Sequence, residues 1–184
     1  AIEQYDAFVC VNGHSNSDHN SENSNFAFVS EVTLTEPVEN TIAYAKSIAQ
    51  LATTIGGGKP IIQRLTDLRK GRRSTWDRIN KSYVVPTLRD ATPGDIAMAL
   101  PYRIVRNIIE GLEMLNTILP GLNSGNTLLY APEIKLRSSK ISTDKNLQTE
   151  IRGLYVAGDG PGVSGNITGA AATGLIAAEG ILKN

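Results

Sequence analysis

Gly153 to Asn184 reads GLYVAGDGPGVSGNITGAAATGLIAAEGILKN, and this stretch decides how the chain is interpreted. Leu154, Tyr155, Val156 and Ala157 form a short apolar run with strand character. A glycine-rich turn follows, and then an alanine-rich segment with helical spacing. Gly160, Gly162 and Gly165 match G-x-G-x-x-G in the strand-turn-helix setting that gives the motif meaning. A complete dinucleotide-binding βαβ unit needs roughly 30 or more residues and an acidic residue about 20 positions downstream. Beyond Gly165 there is one helix and then the end of the sequence. The stretch therefore reads as a phosphate- or cofactor-type turn that is not a complete Rossmann unit.

Working back from that turn, the sequence alternates strand-like and helical patterns. Tyr5 to Val11 is predicted as a strand and Phe26 to Thr35 as a second one, rich in aromatic and β-branched residues. Between them runs NGHSNSDHNSENSN, residues 12 to 25, whose Asn and Ser side chains favour turns and predict a long polar loop. A helix is expected to start near Glu36-Pro37 or to be capped by Asn40. Its apolar stripe is Ile42, Ala45, Ile48, Ala49, Ala52 and Ile55, and Gly56-Gly57-Gly58 stops it. Ile61 to Leu68 is a further short apolar element, followed by a basic loop, Arg69 to Arg73, and a short segment around Trp76. Thr92-Pro93-Gly94-Asp95 is expected as a turn. Pro101 then opens a long helix striped by Ile104, Ile108, Leu112 and Leu115, which is expected to run to Pro120-Gly121. Thr127 to Leu136 is a strand or strand pair interrupted by Pro132. The mixture predicts an α/β class of the mixed α+β kind. Residues 1–148 are expected to form one mixed domain, and 149–184 a closing strand-turn-helix of another.

Composition excludes several classes. The 184 residues carry 18 basic and 18 acidic side chains, so the net charge is zero. Nucleic acid or an anionic membrane as main partner needs a positive field, and neither is expected. The single cysteine, Cys10, cannot form an internal disulfide, which with the lack of a signal-peptide pattern points to a cytoplasmic setting. No apolar run approaches the roughly 20 residues of a spanning helix.

Several constellations carry possible chemistry. Glycines let backbone approach a ligand closely, and amides at a helix start point outward with partial positive charge behind them. Asp159 ends the apolar run, where open α/β sheets bind ligands, and an ionised carboxylate accepts from hydroxyls. The turn reads equally as a structural one. His14 and His19 could move protons, but no third and fourth ligand at structural-site spacing accompanies them, so no metal is expected. Gly56-Gly57-Gly58-Lys59-Pro60 fails the Walker A pattern, with Pro60 at the Ser/Thr position and Thr53 at the first Gly position, and reads as a helix stop. The basic run reads as a solvated face, with anion binding as the alternative. Cys10 reads as a core residue.

The residues together resemble a family. LQTEIRGLYVAGDGPGVSGNITGAAATGLIAAEGIL is similar to the C-terminal flavin-binding segment of FAD-dependent oxidoreductases with two dinucleotide-binding domains. VNGHSNSDHNSENSNFAF, IIQRLTDLRKGRRST, VPTLRDATPGDIAMALPYR and NTLLYAPEIKLRSS resemble one branch, the FAD-dependent or NAD-utilising dehydrogenases of bacteria and archaea. The resemblance implies a discontinuous FAD domain, with an inserted substrate-side domain before a returning strand and helix. Carried over, Asp159 would hold the ribityl chain, Gly158, Gly160 and Gly162 would shape the turn, and Gly165, Asn166 and Ile167 would offer backbone N–H groups. Asn12, His14, Ser15, Asn23 and Asn25 fall on the substrate-side polar motif, and no catalytic acid or base is assigned beyond His14 as a candidate proton donor. The implied cofactor is FAD, with NAD(P)H as candidate reductant, and the implied partner is an N-terminal FAD-binding half absent from these residues. This chain alone is accordingly not expected to bind FAD tightly. Ser164-Gly165-Asn166 stands where some relatives carry an arginine, which weakens an anionic substrate contact there. A free-standing binding module and flavin-assisted RNA modification are the competing readings, the second disfavoured by neutral charge.

Overall fold

β1 (Ile2–Gln4) and β2 (Val9–Val11) form an antiparallel hairpin, with Ile2 opposite Val11. The expected strand Tyr5 to Val11 is thus broken by a turn: the Tyr5 amide donates to the Phe8 carbonyl, and the two rings stack 4.7 Å apart. The computed structural model describes residues 1–14, 18, 21–35, 40–134 and 140–183. Ser15, His19 and the alternative helix start at Glu36-Pro37 lie outside the described residues. The chain divides into two compact units, Ala1–Lys135 and Leu136–Asn184. The boundary expected after residue 148 falls within the second.

In the first unit, α1 (Thr41–Ile55) is capped by Asn40, whose side chain accepts from the Ala43 amide. Its buried residues, Ala49 and Ala52, belong to the expected stripe. Its end is sharp because a side chain on Gly56 would sit 1.9 Å from the Lys59 carbonyl oxygen, and because Gly57 and Gly58 take φ of 62° and 86°. The glycine run is a helix stop.

β3 (Ile61–Arg64) is the centre of a three-stranded sheet, parallel to β4 (Thr92–Pro93) and antiparallel to β5 (Leu128–Ala131). Successive side chains of a strand point to opposite faces, and both faces of β3 are covered. Ile61 joins a cluster with Ala52, Leu65, Ile96, Val105 and Leu112, while Ile62 joins Ile79 and Ala91. Burying an aliphatic side chain fully contributes about 1.5–3 kcal/mol, so this strand is the keel of the unit.

The short elements around the sheet are α2 (Leu65–Arg69), α3 (Trp76–Asn80) and a 3₁₀ turn at Ile96–Met98. The Asp95 side chain caps that turn by accepting from the Ala97 amide. Thr92-Pro93, expected as part of a turn, pairs with β3 instead.

α4 (Tyr102–Leu115) buries Val105 and Leu112 and ends earlier than expected. The Asn116 side chain accepts from the Gly121 and Asn123 amides and folds the chain back. Ile118 and Leu119 are exposed beyond the helix end.

The expected strand Phe26–Thr35 forms no ladder. Its alternation survives, with Phe28, Ser30, Val32 and Leu34 more covered than their neighbours. The segment is anchored on α4 by side chains: Phe28 lies against Gly111, and Asn107 donates to the Ser30 hydroxyl.

In the second unit, residues 144–156 make a tight loop. The Asp144 side chain accepts from the Asn146 and Gln148 amides, and Gln148 and Tyr155 form one antiparallel bridge. The expected strand Leu154–Ala157 is limited to that contact: the Val156 amide donates to Leu147 and the Leu154 carbonyl accepts from Thr149. α5 (Ile167–Leu182) follows. It is apolar nearly all round, and its buried residues are the small ones, Thr173, Ala177 and Gly180. A side chain on Gly180 would lie 2.9 Å from Asn146 and Tyr155, so glycine there lets the helix backbone approach them. Among the described residues, no helix is long and apolar enough to cross a membrane.

Candidate functional site

The glycine turn joins Ala157 to α5. Gly158 takes φ of 87°, which only glycine adopts freely. Its amide donates to the Thr173 hydroxyl at 2.9 Å, and that hydroxyl donates in turn to the Ala170 carbonyl at 2.8 Å. The turn is thereby fastened to the body of the helix it precedes. The Gly162 amide donates to the Asp159 carbonyl at 2.9 Å, closing a four-residue turn over Gly160 and Pro161. Nothing lies within 4 Å of where a side chain on Gly160 would be.

Asp159 is exposed at the crest of this turn, and the Ser164 hydroxyl donates to its carboxylate. One carboxylate has about four acceptor positions, so most of its capacity faces outward. Asn166 is the N-cap of α5, accepting from the Gly169 amide at 2.7 Å. Gly169 in turn leaves room for that cap, since a side chain there would lie 3.2 Å from the Asn166 side-chain oxygen. The amides of Gly165, Asn166 and Ile167 have no hydrogen-bond partner among the described residues. Ile167 itself is 91% exposed. An exposed carboxylate and three unpartnered amides at the positive end of a sixteen-residue helix therefore fall within the segment Asp159 to Ile167 among the described residues. This donor and acceptor set suits a ligand with hydroxyls and an electron-rich group.

The polar segment of the first unit is organised differently. The Asn12 side chain donates to Glu3 at 2.7 Å, and the Asn12 carbonyl accepts from the Ala1 nitrogen at 2.8 Å. The Asn25 side chain donates to the His14 carbonyl at 3.0 Å, and a side chain on Gly13 would lie 2.9 Å from the Asn25 side-chain oxygen. Asn25 is thus tied to the backbone at Gly13 and His14, while Asn12 is held separately by Glu3. Asn23 is held elsewhere, donating to the Val85 carbonyl at 2.6 Å. Ser15 lies outside the described residues. Cys10 is buried beside Phe8 and Ala49, and burial is the main influence pushing its thiol pKa up, which suits a core residue. Among the described residues, no three His, Cys, Asp or Glu side chains cluster as a metal site would need.

The basic run is exposed but anchored at one point to a buried carboxylate. Asp67 is fully buried, with both oxygens occupied. One accepts from Arg72 Nε at 2.8 Å, and the other from Arg64 Nε at 3.0 Å and the Ser74 hydroxyl at 2.8 Å. Gln63, also fully buried, donates to the Arg72 carbonyl and to Asp95, and accepts from the Ile96 amide at 2.8 Å. Residues 69–73 are all exposed, as a solvated face requires, and Arg72 is 43% exposed while its Nε reaches down to the buried Asp67. The signal was present in the sequence: an Asp within an apolar run, with arginines three residues before and five after it.

A mixed α/β unit followed by a glycine-rich turn and a helix is the class that these features define. The chain belongs to the family described as FAD-dependent protein, C-terminal domain-like, which matches residues 3–136. No curated protein matches the chain. The family places it in the C-terminal part of FAD-dependent proteins, and that description implies an N-terminal part and FAD in the whole protein.

Proposed function

We propose that the chain is the substrate-side and closing portion of an FAD-dependent oxidoreductase of the NAD-utilising dehydrogenase type. In this reading the first unit is mostly the inserted domain, and the second carries the segment that completes the flavin site. The observation that carries the reading is the pairing of exposed Asp159 with the unpartnered amides of Gly165, Asn166 and Ile167 within one short segment. FAD, when bound, supplies the electron transfer between substrate and reductant. Asp159 would accept hydrogen bonds from hydroxyls of the ribityl chain. Gly158, Gly160 and Gly162 let the backbone come close. The amides at the start of α5 would offer partial positive charge to an electron-rich group of the bound cofactor. Asn12, His14 and Asn25 on the first unit are the polar groups offered to substrate, with Ser15 and Asn23 as further candidates. His14 is the candidate proton donor.

The test uses the full-length protein with its upstream segment. Asp159→Ala should weaken FAD binding by about tenfold, the equivalent of one charge-assisted hydrogen bond. Bound flavin is read by absorbance after gel filtration. Unchanged flavin retention in Asp159→Ala would sink the assignment of that residue, and a colourless full-length protein would sink the reading as a whole. Anaerobic mixing with NADH and with NADPH separately then identifies the reductant.

A further inference from the structure

A depression of about 440 Å³ opens on the first unit, between the glycine turn that ends α1 and the segment entering β4. Its volume falls in the range of small-molecule sites, roughly 300–1,000 Å³. Ile55, Ala91 and Pro93 give it an apolar lining, and Lys59, Trp76 and Arg89 supply its polar and aromatic groups. The walls are tied together, because the Thr92 hydroxyl donates to the Gly56 carbonyl at 2.6 Å and the Thr92 amide to the Pro60 carbonyl at 2.8 Å.

The donors that remain free identify the ligand. Arg89 is exposed and has no hydrogen-bond or ion-pair partner among the described residues. A guanidinium keeps its charge at any ordinary pH and offers a fork that matches carboxylate or phosphate. Trp76 packs on the cluster of Ile62, Ile79 and Ala91, yet its indole N–H makes no hydrogen bond among the described residues. Lys59 meets Asp90 at 2.6 Å, but both are more than half exposed. Such a surface pair contributes only about 0–1 kcal/mol, so it yields readily to a ligand. The glycine turn is no phosphate cradle, because the amides of Gly56, Gly57, Gly58 and Lys59 all donate to carbonyls of their own turn. The side chains alone meet the anion.

We propose that this depression binds a small organic anion, a carboxylate or phosphate on an apolar ring. Arg89 takes the anionic group, Trp76 packs the ring and donates its indole N–H, and Lys59 contributes charge at the rim. The site is separate from the glycine turn, and its test requires no flavin.

The chain has one tryptophan, and it lines this site, so its emission reports occupancy. Titration with phenyl phosphate and with benzoate should give saturable changes with half-saturation near 1 mM or tighter. The two probes distinguish a phosphate from a carboxylate preference. Inorganic phosphate, without the ring, and benzyl alcohol, without the charge, should each bind at least about tenfold more weakly. Arg89→Gln should weaken phenyl phosphate and benzoate by about tenfold or more with an unchanged circular dichroism spectrum. Arg73→Gln, which removes an exposed cation outside the depression, should leave both titrations unchanged. The proposal is overturned if neither ring anion gives saturation, if Arg89→Gln binds like the parent, or if Arg73→Gln loses as much as Arg89→Gln.

Discussion

Asp67 shows most directly how a single residue sets the behaviour of the first unit. Burial, the largest influence on its carboxyl group, would raise the pKa, but hydrogen bonds from Ser74, Arg64 and Arg72 together outweigh it and hold the pKa below the usual value. A depressed carboxylate contributes stability above its unfolded pKa of about 3.9, and loses it as pH falls through the lower folded value. Asp67→Asn keeps the shape and removes the charge opposite two arginines, so it should cost about 3 kcal/mol near neutral pH. The gap from the parent should begin to narrow below about pH 4, where the unfolded parent takes up a proton, and shrink further as pH falls through the lower folded value. Urea denaturation at neutral pH and near pH 3 measures both; an equal gap at the two pH values would refute this account. Gly111 gives a second residue-scale test. Alanine in a helix interior is ordinarily favoured over glycine by about 1 kcal/mol. Here its methyl would lie 2.1 Å from Phe28 Cζ, so Gly111→Ala should instead destabilise by about 1–3 kcal/mol. In a Phe28→Ala background the sign should reverse, and a double-mutant cycle that shows simple additivity would contradict the packing of Phe28 on α4.

At the scale of elements, α1 and α4 were legible because period 3.6 and their terminal signals agree: Asn40 and Gly56 for one, Pro101 for the other. The strands were less so. Tyr5 to Val11 contains a turn because Asp6-Ala7 interrupts it, and Phe26 to Thr35 alternates like a strand while resting on helix side chains instead of a neighbouring backbone. Alternation reports that one side is covered, not what covers it. The tie from Thr173 to Gly158 was also hidden, since it joins residues 15 apart through one hydroxyl. A threonine in an alanine-rich helix, where its propensity is poor, was the available hint. Thr173→Val keeps the shape and leaves the Gly158 amide unpartnered, a loss of about 1–3 kcal/mol. Hydrogen exchange should then quicken at Gly158 and Gly162 while β3 is unaffected. Unaltered exchange in the turn would mean that the hydroxyl does not fasten it.

On the scale of the whole molecule, α5 poses a problem that its own unit leaves unsolved. Its buried stripe is made of small residues, while Ile167, Leu175, Ile181 and Leu182 are from 56% to 91% exposed. A helix that is apolar all round belongs in an interior, and each large aliphatic side chain left in water forgoes about 1.5–3 kcal/mol of burial. The family to which the chain belongs is a C-terminal domain, and on the proposed reading the N-terminal part that this implies would cover these side chains. The 184-residue chain alone should therefore bind a hydrophobic dye, self-associate as its concentration rises, and retain no FAD through gel filtration. Supplying the upstream segment of the longer protein should suppress dye binding and association together and yield a flavin-bearing complex. Leu175→Ser with Leu182→Ser should reduce dye binding by the lone chain with little loss of stability, because both side chains already face water, yet weaken assembly with the upstream segment. A lone chain that stays monomeric, ignores the dye and elutes yellow would show that α5 needs no such cover.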